Sequence, residues 1–131
     1  MTFRIQSNVV NLLDNASISA NATSTTEWWD TSGWQNKKVI WECDSTGTPS
    51  ITITAQISPL GYYEMNNLTA STEYYYSATI ASSVTSKVMV EYDEDDVPEL
   101  GKAWRSVRFT VANASGAGAV TGGYLRLTGE S

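Results

Sequence analysis

The side chains that could carry chemistry in this sequence include a cluster of carboxylates. Residues 93–99 read Asp-Glu-Asp-Asp-Val-Pro-Glu, which places five acids within seven residues directly after a predicted strand. Calcium takes about six to eight oxygen ligands, so Asp93, Asp95 and Asp96 are candidate ligands, although the spacing is not that of an EF-hand loop. The alternatives are a solvated loop that protects a sheet edge and a charged contact with a basic partner. The sequence predicts no other metal site or cofactor.

A second cluster is aromatic. Residues 27–34 read Glu-Trp-Trp-Asp-Thr-Ser-Gly-Trp and contain three tryptophans. Trp28 and Trp34 have the same parity and are expected to point into a core, whereas Trp29 is expected to face outward. An outward tryptophan can stack on a sugar ring or on a partner side chain. Core packing and a stacking platform therefore both stay open for this group.

The usual catalytic groups are missing or poorly placed. The sequence has no histidine, which excludes His-based triads, the commonest zinc ligands and the usual proton shuttle. Cys43 is the single cysteine, and the apolar strand around it predicts a buried structural thiol. Glu42 and Asp44 could form a glycosidase-like carboxylate pair, but any solvated strand end can carry such a pair. The chain is predicted not to be an enzyme.

Size and charge restrict the possible partners. The 131 residues are 41% apolar and carry 14 acids against 8 bases, a net charge of −6. This length predicts one globular domain with a substantial core. An acidic surface disfavours nucleic acid and anionic membranes as partners. No apolar run approaches the roughly 18 residues of a membrane span, and no signal-peptide core follows the first residues. We therefore expect synthesis in a cytoplasm, with release by lysis or by another route.

The elements that position these residues are predicted to be β-strands. Residues 50–58 alternate strictly between polar and apolar side chains, and residues 39–43 alternate over a shorter stretch. The turn formers at 44–49 predict that these two strands pair as an antiparallel hairpin. Residues 107–112 and 120–127 flank a glycine-rich turn and are predicted to form a terminal hairpin. No window shows helical periodicity over ten residues, so the fold class is an all-β, jelly-roll-like antiparallel sandwich of about seven to nine strands.

The chain is predicted to divide at residue 26. Residues 1–26 are expected to form an N-terminal arm or edge strand followed by a flexible connector, because residues 14–26 are small and polar. Residues 27–131 are expected to form the β-sandwich domain. Asn-X-Ser/Thr triplets occur at Asn15, Asn21, Asn67 and Asn113, and turn chemistry is a better interpretation of them than glycan attachment.

The C-terminal third resembles a known family. Residues 103–111 read Ala-Trp-Arg-Ser-Val-Arg-Phe-Thr-Val, and a Gly/Ala loop then leads to Tyr-Leu-Arg-Leu at 124–127. This pattern resembles the closing strands of small jelly-roll structural proteins of tailed bacteriophages, and residues 50–57 are similar to another of their strands. The resemblance covers residues 27–128. It implies a capsid decoration (cement) protein that binds and stabilises neighbouring shell subunits and has no catalytic motif.

The resemblance also implies partners and a location. The partners would be the major capsid protein or other virion proteins, in the virion assembled in the host cytoplasm. A homo-oligomer is expected, with a trimer as the candidate state. Aromatic side chains carry much of the energy of such interfaces. The candidate contact residues are Phe3, Ile5, Val9, Leu12, Trp29, Tyr62 and Tyr63.

Two other functions stay open. The first is a carbohydrate-binding jelly-roll module, in which Trp29, Trp34, Tyr62 and Tyr63 would form the stacking platform and residues 93–96 would hold a structural calcium. The second is a tail or fibre accessory protein. The chain lacks the long glycine repeats of fibre stalks, which favours decoration over a fibre role.

Overall fold

The computed structural model describes residues 7–67, 76–84, 90–101 and 105–131. Within these ranges the chain forms nine β-strands in two antiparallel sheets, together with one short α-helix and one 3₁₀ turn. The predicted all-β sandwich is therefore confirmed. None of the described helices has the length and apolar character needed to span a membrane. The elements are β1 (Ser7–Ile18), β2 (Thr23–Thr25), β3 (Trp29–Asp30), β4 (Gln35–Gly47), β5 (Ile51–Ser58), α1 (Tyr62–Asn67), β6 (Tyr76–Val84), β7 (Val90–Tyr92), the 3₁₀ turn Pro98–Gly101, β8 (Ser106–Asn113) and β9 (Gly118–Glu130).

The strand order is that of a jelly roll. Sheet 1 has the order β1-β9-β4-β7, and sheet 2 has the order β2-β8-β5-β6, with β3 also pairing with β8. The first half of the chain pairs with the second half in reverse: β1 with β9, β2 and β3 with β8, β4 with β7, and β5 with β6. This is one long antiparallel ribbon folded over into two facing sheets. The β4–β9 and β5–β8 pairings then join the ribbon within each sheet.

Both predicted hairpins are wrong. β4 and β5 lie in opposite sheets, and so do β8 and β9, so each intervening turn carries the chain from one sheet to the other. The apolar faces explain the arrangement. Trp41 of β4 and Ile53 of β5 are both 0% exposed. Strands that face each other across a sandwich bury both apolar faces, whereas strands paired side by side would still need a further layer to cover them.

The residues predicted as a flexible connector, 14–26, also belong to the sandwich. β1 continues to Ile18, which is 2% exposed in the core, and Thr23–Thr25 pairs with β8. The alternation that marks a strand is interrupted here because the register of β1 against β9 shifts three times between Asn11 and Ile18. Asn15, within this stretch, has a φ of 56°. Each shift breaks the period of two by which a strand is recognised in a sequence.

The core lies between the sheets and is closed at one end by the 3₁₀ turn. Val97 and Leu100 from this region are buried against the inward side chains of the strands. Cys43 is buried in the same cluster, as predicted. The fully buried side chains with the largest volumes include Trp41, Phe109, Ile18, Ile51, Ile53, Leu125 and Leu127.

Three connections of the fold meet at the amide of Asn113. The side chain is 1% exposed. Its Oδ1 accepts hydrogen bonds from the backbone N–H groups of Ser50 at 3.2 Å and Ser115 at 3.1 Å. Its Nδ2 donates to the carbonyl oxygens of Ser19 at 3.3 Å and Gly118 at 2.9 Å. The residue therefore joins the β1–β2 loop to both sheet-to-sheet turns, which agrees with turn chemistry rather than glycan attachment at this triplet.

Candidate functional site

The tryptophan-rich segment lines a cleft of about 610 Å³ on the surface of the sandwich. We call this cleft the tryptophan cleft. A cavity of this size is within the range of ligand pockets in proteins. The described residues that line it are Glu27, Trp28, Trp29, Asp30, Ser32, Trp34 and Asn66.

Trp28 is the fixed inner wall of the cleft. It is 3% exposed, and its backbone is held on both sides by Asn66 of α1. The Trp28 N–H donates to Asn66 Oδ1 at 3.1 Å, and Asn66 Nδ2 donates to the Trp28 carbonyl at 3.4 Å. The guanidinium of Arg108 lies 4.8 Å from the centroid of the Trp28 ring, a cation–π contact. The Nε of Arg108 also donates to Gln56 Oε1, which fixes the guanidinium in place.

A tight turn after β3 fixes the other wall. The carboxylate of Asp30 accepts the N–H of Ser32 at 2.8 Å, and the Trp34 N–H donates to the Thr31 carbonyl at 3.0 Å. Gly33 has a φ of 77°, a conformation that side chains other than glycine's rarely adopt. Trp34 is packed so closely on β9 that a Cβ at Gly129 would lie 2.8 Å from its Cε3. The turn therefore holds the Asp30 carboxylate and the Trp34 ring in fixed positions.

Trp29 is the exposed wall. Its backbone pairs with Val107 of β8, and its side chain is 43% exposed. Trp28, just before β3, is buried, whereas Trp29 and Asp30 of β3 are both exposed, so Trp29 faces outward as the sequence predicts. The core and platform interpretations of this segment thus apply to different rings of the same cleft.

Of the other predicted contact residues, Val9 and Leu12 are described with their side chains, and both belong to β1, away from this site. Val9 is 65% exposed but lies on β1 in sheet 1, whereas Trp29 lies on β3 in sheet 2. Leu12 is partly buried against the core. Phe3 and Ile5 lie outside the described residues. Tyr62 and Tyr63 form the start of α1, and the described part of the structure does not include their side chains.

Carboxylates of the acidic loop accept backbone N–H groups from the loop itself and from Lys37 of β4. Asp93 Oδ1 accepts the N–H groups of Asp95 at 3.0 Å and Asp96 at 3.1 Å, and the Asp93 N–H donates to Asp96 Oδ2 at 3.3 Å. Glu94 Oε1 accepts the N–H of Lys37 at 2.8 Å and lies 4.0 Å from its ammonium nitrogen. In the part of the chain that the structure describes, no three His, Cys, Asp or Glu side chains are grouped as a metal ion would require. Calcium at Asp93, Asp95 and Asp96 stays a prediction.

These hydrogen bonds make the loop sensitive to acid. The backbone N–H of Asp96, and then that of Asp95, hold the pKa of the Asp93 carboxyl below its ordinary value. A carboxyl with a depressed folded-state pKa stabilises the fold above its unfolded value, about 3.9, and this contribution is lost as the pH falls through the folded pKa. We expect Asp93→Asn to be less stable than the wild type at pH 7 and to converge with it in acid. Urea unfolding across this pH range measures the difference.

The matched control is Asp95→Asn, which removes the same charge from the same loop but leaves the Asp93 acceptor in place. It should follow the pH dependence of the wild type more closely than Asp93→Asn does. Equal pH dependence of the two variants would contradict the role assigned to Asp93.

The carboxylate pair considered for glycoside hydrolysis is engaged differently. Glu42 forms an ion pair with Arg126, whose Nη1 lies 2.6 Å from Glu42 Oε1. The Arg126 guanidinium also lies 5.2 Å from the centroid of the Tyr124 ring. Glu42 and Asp44 line a shallow cleft of about 380 Å³ beside these groups. The Glu42 carboxylate therefore serves cross-strand pairing between β4 and β9.

Comparisons with known proteins support the fold. No protein-family model and no curated protein matches the chain. Among solved structures, it is similar to the PBSX exported protein XepA, with 15% identity and a TM-score of 0.51 over 93% of this chain and 36% of that one. It is similar to a chain in the structure of infectious bursal disease virus Gt strain, with 9% identity and a TM-score of 0.54 over 95% of this chain and 33% of that one. It is also similar to the SPBc2 prophage-derived protein YomS, with 13% identity and a TM-score of 0.51 over 100% of this chain and 98% of that one.

The extent of each likeness differs. The chain spans about a third of the length of XepA and of the viral chain. It spans nearly the whole length of YomS. At these identities the similarities show a shared fold, and the shared fold is the jelly roll described above.

Sequence reasoning identified the rings of the cleft but missed Asn66 and Arg108. Arg108 has the outward parity of a solvent-facing residue on β8, and only the β3–β8 pairing brings it near Trp28. Asn66 lies in a turn-rich segment in which no alternation or helical period stands out. The sequence could place Arg108 near the tryptophans only if β3 and β8 were known to pair. Arg108 follows Val107, which is the residue that pairs with Trp29.

Proposed function

We propose that this protein is a non-enzymatic structural component of a tailed-phage virion that decorates the shell and stabilises neighbouring capsid subunits. The observation that carries the proposal is the likeness to the SPBc2 prophage-derived protein YomS, which extends over the whole of this chain and nearly the whole of that one. The likeness to the PBSX exported protein XepA and to a chain of infectious bursal disease virus supports the same class of function. The sequence resemblance to phage jelly-roll proteins points to it independently.

The distribution of exposed apolar groups supports a role that joins two partners. Among the described residues, the exposed large apolar side chains are Val9 at 65% and Trp29 at 43%. They lie on different sheets of the sandwich, at β1 and at β3. A protein that clamps neighbouring subunits needs at least two separate contact surfaces, and an exposed tryptophan such as Trp29 can supply a large part of an interface energy.

The experiment is to purify particles of the phage that encodes this chain and to measure its copy number by mass spectrometry and its position by immunogold microscopy. Decoration predicts head labelling with a copy number proportional to that of the shell subunit. Deletion of the gene should lower the temperature at which the heads release DNA. Labelling confined to the tail would replace decoration with the tail-accessory alternative, and absence from particles would remove the virion role.

Oligomerisation provides a simpler test on the purified protein. We expect light scattering to give the mass of three copies of the 14.3-kDa chain, because the phage decoration proteins that the sequence resembles are often trimers at local symmetry axes of the shell. The mass should not change with EDTA if hydrogen bonds, and not a bound calcium ion, hold the acidic loop in place. A monomer whose thermal stability falls with EDTA would favour the calcium-stabilised carbohydrate-binding alternative.

A further inference from the structure

Among the described residues that line the tryptophan cleft, the ionisable side chains are acidic. They are Glu27 and Asp30, and the other described lining groups are indole rings, a hydroxyl and an amide. The guanidinium of Arg108 contacts the Trp28 ring but is not part of this lining. The whole chain carries a net charge of −6, which adds to the same potential. Concave surfaces lined by charges of one sign concentrate ligands of the opposite sign. A cationic group is therefore the ligand that the electrostatics of the cleft favour.

The aromatic walls favour the same ligand. The face of an indole ring attracts cations, and tryptophan is the strongest of the aromatic side chains in this respect. The molecule already contains this pairing within its own structure, since the guanidinium of Arg108 lies 4.8 Å from the centroid of the Trp28 ring. Trp29, at 43% exposed, offers a second indole to a cation from outside.

We propose that the tryptophan cleft binds an arginine side chain on a basic segment of a partner protein. The planar guanidinium would stack on Trp29 and donate hydrogen bonds to the carboxylates of Asp30 and Glu27, an arrangement that matches its fork of donors. Asp30 is held for this role by the Ser32 N–H at 2.8 Å, and a carboxylate has about four acceptor positions in all. The volume of about 610 Å³ leaves room for residues that flank the arginine.

A sugar fits the described walls less well. Stacking on a pyranose needs a broadly exposed ring face, and extended glycans are held by more than one such ring. Trp28 is 3% exposed and Trp34 is partly buried, so Trp29 is the one exposed indole among the described residues of the cleft. The proposed site goes beyond the virion role, because it depends on the chemistry of the cleft and not on the origin of the basic segment.

The test is a titration of the full-length, ¹⁵N-labelled protein with the peptide acetyl-Gly-Ser-Arg-Ser-Gly-amide, followed through the indole N–H resonances. We expect saturable shifts of the Trp29 indole, and about tenfold weaker binding of the matched peptide with citrulline, which has the shape of arginine without its charge. Trp29→Ala should weaken binding about tenfold, and Asp30→Asn, which keeps an acceptor for Ser32, about threefold. Val9→Ser, an exposed apolar position on the other sheet, should leave the affinity unchanged.

Three results would overturn the proposal. Equal affinity for the arginine and citrulline peptides would show that the cleft does not recognise charge. No shift of the Trp29 indole up to about 20 mM peptide would show that it does not bind arginine at a useful affinity. Saturation by neutral oligosaccharides without a response to the arginine peptide would assign the cleft to glycans. Because the titration uses peptides alone, its failure is distinguishable from absence of the protein from phage particles.

Discussion

Replacing Asn113 with alanine is expected to lower the free energy of unfolding by about 3 kcal/mol. The amide is 1% exposed and bonds to four backbone groups, two through Oδ1 and two through Nδ2. A buried donor or acceptor that loses its partner costs about 1–3 kcal/mol, and part of this cost is recovered where water can reach the loop groups. Urea unfolding followed by circular dichroism measures the loss.

Two further variants separate the hydrogen bonds from the loss of side-chain volume. Asn113→Asp keeps the shape but turns the two donated bonds into contacts between a carboxylate and the carbonyl oxygens of Ser19 and Gly118. It should be at least as destabilising as alanine at neutral pH, because an uncompensated buried charge is costly. Asn11→Ala, an exposed position on β1, should change stability by less than about 0.5 kcal/mol. If Asn113→Ala fell within the same small range, the amide would not be the junction of the three connections.

The sequence predicts the inward faces of this fold well because side-chain alternation is a local property. On β5, Ile51, Ile53, Ala55 and Ile57 alternate with polar residues, and all four are at most 3% exposed. On β8 the same holds for Val107, Phe109 and Val111. Each of these positions follows from its immediate neighbours, since successive side chains of a strand point to opposite sides.

The arrangement of strands could not be obtained in this way. Alternation is the same whether the next strand lies beside a given strand or faces it across the core, so both sheet-to-sheet turns resemble hairpin turns in the sequence. What decides between them is pairing over long separations, such as β1 with β9, which aligns Ser7 with Glu130. The register shifts of β1 are the reason that residues 14–18 were not predicted as strand, because a strand interrupted by bulges resembles a polar loop in the sequence.

The candidate site, like the fold, could be predicted from the sequence only in part. The parity of Trp28 and Trp29 fixed which ring is buried and which is exposed, and both orientations agree with the structure. Asn66 of α1 lines the cleft and Arg108 of β8 contacts the Trp28 ring, and both approaches to Trp28 depend on the tertiary fold. A sequence can therefore indicate that an aromatic surface exists here, but the charge and the fixed walls of that surface become visible only with the chain folded.

Trp41→Ala is expected to lower the free energy of unfolding by about 4 kcal/mol, because Trp41 is the largest fully buried side chain among the described residues of the core. Trp41→Phe should cost much less than alanine. It retains an aromatic ring, and it removes the buried Nε1–H, for which the described residues provide no hydrogen-bond partner. Urea unfolding at constant pH gives both values. If Trp41→Phe lowered the free energy of unfolding as much as Trp41→Ala, the expectation would be wrong, because neither the retained ring nor the removal of the buried N–H would have preserved stability.

The same ring explains a glycine on the neighbouring strand, and a double-mutant cycle tests the contact between them. A Cβ at Gly123 would lie 2.8 Å from Trp41 Cη2 and 3.1 Å from Val120 Cγ1, so Gly123→Ala should destabilise the wild type by about 1–3 kcal/mol through overpacking. In the Trp41→Ala background the ring is gone and the added methyl occupies part of the cavity, so the cost of Gly123→Ala should fall by about 1 kcal/mol or more. Trp41→Leu offers a second background if the alanine variant does not fold. An equal cost in every background would mean that the glycine is required by its backbone and not by the space that the Trp41 ring occupies.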